Sequence, residues 1–116
     1  MSVIDLLLNT LAEFNYPIFR QGEIGADEAY PDSFFTYWNF DTPDSSHYDN
    51  KPTISDWGFW VNFFTNDAEK LFTITEQTKK KLEEAGFILT GKGEDAQSDE
   101  VTHSGRRLTA YYKEKY

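Results

Sequence analysis

Residues 54–65, ISDWGFWVNFFT, and residues 31–40, PDSFFTYWNF, decide how this chain folds. Aromatic and β-branched residues at this density suit a pleated, half-buried surface, so each stretch reads as a strand. We place the strands at residues 33–40 and 54–65. Strand side chains alternate between faces. Trp57, Phe59, Val61 and Phe63 therefore share one face, the expected core. Asp56, Gly58, Trp60, Asn62 and Phe64 share the other, which is half apolar and needs partial cover. Between the two strands, Asp41 to Thr53 contains Pro43, Asp44, Asp49, Asn50 and Pro52 and reads as a long, turn-rich connection. A loop of that length in a small domain is usually functional, so it is the first place to look for a partner surface.

Working outward, Val3, Leu7, Leu11 and Phe14 recur at helical spacing, with Ser2 as cap and Asp5 in the first turn. Pro17 disfavours helix in the residue before it, giving a first helix over 3–15. Residues 16–33 form a connecting arm with room for a short edge strand near Pro17 to Gln21. Asn66 followed by Glu69 predicts a second helix with Asn66 as its cap. Leu71, Ile74, Thr75, Thr78, Leu82 and Ala85 make its stripe, and Gly86 stands where helices turn left-handed. Phe87 to Thr90 is an expected third strand, Gly91 to Gly105 a second long loop, and Arg106 to Lys113 a fourth strand. The order helix-strand-strand-helix-strand-strand implies an α+β fold: a mainly antiparallel sheet of about four strands with two helices on one face. At 116 residues this is a single domain over 1–116, with one core.

Composition narrows function. Twenty Asp and Glu against eleven Lys and Arg give a charge of −9, which repels phosphate backbones and argues against a nucleic-acid binder, sequence-specific or general. Rings on a sheet can stack on bases, but such platforms carry a positive groove. Core and protein interface explain the aromatics better. Lys79, Lys80 and Lys81 read as solvated complements to a helix dipole. The absence of cysteine removes disulfides and thiolate chemistry and leans toward the cytoplasm. No apolar run is long enough to span a membrane, and no export signal is legible at the amino terminus.

A metal or hydrolytic site would have to draw on His47 and His103, one in each long loop, with the surrounding Asp41, Asp44, Asp49, Glu94, Asp95, Asp99 and Glu100. The two could meet if both loops lie at one end of the sheet. No His-x-x-x-His pair, calcium-loop spacing, phosphate loop or serine elbow is present, so the reading is non-enzymatic, with no cofactor and no metal. Arg106 and Arg107, at the exit of the second loop, must point to opposite faces. The plain alternative to an interface role for them is an internal pair with Glu94 or Asp99.

Tyr30-Pro31-Asp32-Ser33-Phe34-Phe35-Thr36-Tyr37-Trp38-Asn39, Tyr48-Asp49-Asn50-Lys51, and Gly91-Lys92-Gly93-Glu94-Asp95 running on through Ser98-Asp99-Glu100 to Thr102-His103-Ser104-Gly105-Arg106 resemble segments of a known group. These are small proteins from the head-to-tail joining region of siphophages and prophages of Gram-positive bacteria. The resemblance runs from about Gly22 to Lys113. The order of elements is also similar to that of tail terminator proteins, which cap the tail tube as a ring, commonly a hexamer, and present it to the head connector. It implies a structural protein that forms a homo-oligomeric ring and touches tail tube and head connector proteins. Its place would be the host cytoplasm during assembly and then the virion, with a head-side connector or other minor virion protein as alternative. Asp41, Asp44, His47, Tyr48, Asp49, Trp60, Glu94, Asp95, Asp99, His103, Arg106 and Arg107 are then the expected interface residues.

Overall fold

The computed structural model describes residues 2–21, 31–41, 44–48, 51–98 and 102–115. Within them the order is α1 (Val3–Ala12), β1 (Ile18–Arg20), β2 (Ser33–Asp41), β3 (Asp44–Tyr48), β4 (Lys51–Thr65), α2 (Ala68–Glu84), β5 (Ile88–Leu89), β6 (Glu94–Ala96) and β7 (Ser104–Lys115). The α+β class stands, but the sheet is larger than the expected four strands. Its path is β1-β2-β4-β7-β5, with β3 added to β4 and β6 to β7. All pairs are antiparallel except β1 with β2, which are parallel.

Both helices cover one face. Val3, Leu7 and Leu11 of α1 and Leu71 and Leu82 of α2 join Phe35, Phe59, Val61, Phe63, Leu108 and Ala110 in one buried cluster, with Trp57 packed at its border. The face predicted for Trp57, Phe59, Val61 and Phe63 is therefore the core face. Thr10, Thr75 and Thr78 enter this apolar layer because each hydroxyl donates to the carbonyl four residues earlier.

Ser2 caps α1 as expected, in a capping box with Asp5. The helix stops at Ala12, short of residue 15. Its end tightens through Phe14 N–H to Leu11 and Asn15 N–H to Ala12, and Asn15 then adopts a left-handed φ of 61°. The cap of α2 is Asp67, whose carboxylate accepts from the Glu69 amide, while Asn66 donates its side-chain amide to Asp32. The start signal was right and its residue off by one. At the other end Gly86, at φ 106°, closes a Schellman motif: its N–H reaches Glu83 and the Phe87 N–H reaches Leu82.

The largest revision concerns the two long loops. Residues 44–48 are a strand laddered to β4, which begins at Lys51, so the connection is a hairpin extension instead of an open loop. In the second loop, Glu94–Ala96 pair with residues 105–107 of β7. Among the described residues no helix is long and apolar enough to cross a membrane.

Candidate functional site

β4 and β2 present Trp60 and Trp38 as direct cross-strand neighbours on the face away from the helices. Phe40, also on this face, lies flat over Gly58, where a Cβ would stand 2.7 Å from its ring. From there it stacks on Trp60 at 5.2 Å between centroids and receives the edge of Tyr111 at 6.0 Å. Phe64 covers Gly105 in the same way and stacks on Phe34 at 5.3 Å. Glycine in a strand leaves room that a neighbouring ring fills, and this face uses that device twice.

Polar groups tie the rings together. The Arg107 guanidinium sits 4.5 Å from the Trp60 ring centroid, and its Nε donates to Asn62 Oδ1 at 3.0 Å. Asn62 passes the chain on, its Nδ2 donating to Thr36 Oγ1 at 3.1 Å. Arg20 approaches the Trp38 ring at 5.4 Å. Asn62 is buried although no helix among the described residues lies above it, while Trp38 and Tyr111 remain exposed at 37% and 42%. Cations held against ring faces in this way keep a wet surface ordered without neutralising it.

The predicted interface residues divide. Trp60 and Arg107 form the contact just described. Arg106 points to the helix side, as alternation along β7 demands, and pairs with Asp95 at 2.9 Å. Glu94, one of the two expected partners, is not the residue it pairs with. Asp95 stands directly opposite Arg106 in the β6–β7 ladder, whereas Glu94 stands opposite Arg107, and Asp99 lies outside the described residues. Asp49 also lies outside them. Asp41 closes β2 opposite Gly58 beyond a bulge, and Asp44, His47 and Tyr48 occupy β3 opposite Ser55, Pro52 and Lys51.

The histidines do not meet. His47 pairs at the Lys51 end of β4, while His103 precedes Ser104, the partner of Thr65 at the far end. Thirteen residues of strand separate Pro52 from Thr65, roughly 43 Å. His103 instead fastens a loop. Its Nε2 donates to the Pro31 carbonyl at 2.8 Å, which leaves Nδ1 to accept from the Thr102 hydroxyl at 3.0 Å. Among the described residues no group of three or more His, Asp or Glu is placed to hold a metal ion.

Asn62 lies on the face expected for it beside Trp60, whereas sequence reasoning missed Phe40 and Arg20 as members of this surface, and a second feature on the helix side. There Phe72 is exposed on α2 with the Arg106 guanidinium 5.2 Å from its ring centroid. An aromatic lying off the core stripe of α2 was the available signal. Compared with known protein families and with curated proteins, the chain matches neither a family model nor a relative.

Proposed function

We propose that this chain is a non-enzymatic structural subunit of a phage particle, of the tail terminator or head–tail joining class, that forms a ring on the tail tube. The observation that carries the reading is the sheet face opposite the helices. It sets Trp38, Phe40, Trp60 and Tyr111 among Arg20 and Arg107, with no helix above them among the described residues. Aromatic residues and arginine are the types enriched in protein interfaces, and glycine-seated rings give that face a fixed relief. A hexamer and contacts to tube and connector proteins follow from the resemblance.

The hairpin of β3 and β4 suits the same role. The molecule measures 53 × 29 × 23 Å, and its long dimension matches the roughly 50 Å span of a fifteen-residue strand such as β4. An elongated subunit reaches its neighbours more readily than a sphere. The alternative built on a shared two-histidine metal centre is disfavoured by the opposite placement of His47 and His103.

The test is electron microscopy and native mass spectrometry of the purified protein, alone and with tail tubes, beside complementation of a tail-completion defect. Rings that cap tubes are expected. Uncapped tubes and a protein that stays monomeric with them would remove the reading.

A further inference from the structure

The lysines at the end of α2 do more than complement a helix dipole. With Phe72 they border a groove of about 400 Å³ between the outer side of α2 and the ledge formed by Lys92 and Arg106. Four of the chain's eleven cations, Lys79, Lys80, Lys92 and Arg106, line it against two carboxylates, Glu76 and Glu83. In a molecule of charge −9 this is a local inversion of sign.

Arg106 is set into the wall. Its side chain is 15% exposed, held by Asp95 and by the Lys92 carbonyl, and its Nε is buried without a hydrogen-bond partner. Asp95 itself is 84% exposed, so an incoming carboxylate can share or replace it at the guanidinium. From Phe72 to Glu83 the groove follows eleven residues of helix, roughly 16 Å, a length that suits a protein edge more than a compact solute. Glu76 and Glu83 flank Lys79 and Lys80, each about one turn away, and would repel a continuous run of phosphates.

We infer that this groove receives a second copy of the chain, through the acidic corner where β2 and α2 begin. That corner carries exposed Asp32 and Glu69 beside the capping Asp67, with Lys70 interleaved. Its three carboxylates against one lysine complement the groove's four cations against two carboxylates. The corner occupies the first turn of α2 and the groove runs from Phe72 onward, so they are different patches, and a contact that seats the corner of one copy in the groove of the next is heterologous, the kind that closes rings. The inference rests on the ring-subunit reading and adds to it the site and the partner surface.

The experiment uses two charge reversals, Lys79→Glu with Lys80→Glu in the groove and Glu69→Lys in the corner, followed by sedimentation velocity at low salt and circular dichroism melts. Each variant alone should self-associate at least tenfold more weakly than the parent chain while melting as a folded protein. Mixed in equal amounts they should associate, because the intact corner of one fits the intact groove of the other. A groove variant that assembles like the parent, or two folded variants that stay apart when mixed, overturns the inference and leaves the ring reading standing. A parent chain that never associates, alone or with tail tubes, overturns both. Should Lys79→Glu with Lys80→Glu fail to fold, Lys79→Gln with Lys80→Gln carries the same prediction.

Discussion

The two faces of this sheet are built from the same strands and solve different problems. Under the helices, Phe35, Phe59, Val61 and Phe63 are buried by a second layer rich in Leu and Val. On the other face, Trp60 and Phe40 are buried sideways by each other, by a glycine and by an arginine, and stay partly wet. Apolar content alone does not separate them, since both are rich in rings. What differs is whether, among the described residues, an element supplies the lid. A face that has ordered its rings without one leaves room for a lid from outside.

That contrast is open to direct attack. Phe59→Ala should cost about 3–5 kcal/mol in urea unfolding, since the ring is fully enclosed and the cavity cannot collapse between sheet and helix. Gly105→Ala should come next, at about 1–3 kcal/mol, because the new methyl would stand 2.5 Å from the Phe64 ring and 2.9 Å from the Ala96 carbonyl. Pairing it with Phe64→Leu should return part of the loss if crowding is the cause. Trp60→Ala should lower stability by only about 1–2 kcal/mol, as the indole is half-buried, yet reduce ring formation sharply in native mass spectrometry. A Trp60→Ala loss as large as that of Phe59→Ala, with assembly intact, would make the open face a second core. Smallest of all, Lys81→Ala should shift the melting midpoint hardly at all, within about 0.5 kcal/mol, because its 4.0 Å pair with Glu84 is exposed.

The elements with strong periodicity were legible in the sequence: the β4 alternation, the α2 stripe and the Ser2 cap each appear where the residues require. Those without it were not. Asp44-Ser45-Ser46-His47-Tyr48 and Glu94-Asp95-Ala96 carry few residues of high strand propensity, and what makes them strands is the ladder offered by β4 and β7. The candidate surfaces were legible in kind but not in membership. Trp60, Arg106 and Arg107 stood out as residues, whereas the pairing of Arg106 with Asp95 depends on the β6 register, and the groove joins Phe72, Lys92 and Arg106 across gaps of twenty and fourteen residues. Distances of that kind are written only in the topology.

β4 has one more consequence. Its N-terminal end carries the hairpin with β3, its C-terminal end lies beside the start of α2, and β7 runs beside it in antiparallel register through twelve residue pairs. A pull at the hairpin resisted by the helix-covered end therefore acts lengthwise, so those pairs resist in shear, all at once, and are not peeled apart one by one. The strand is a tension member, and an assembly gripping it at the hairpin would transmit force to the body with little stretch.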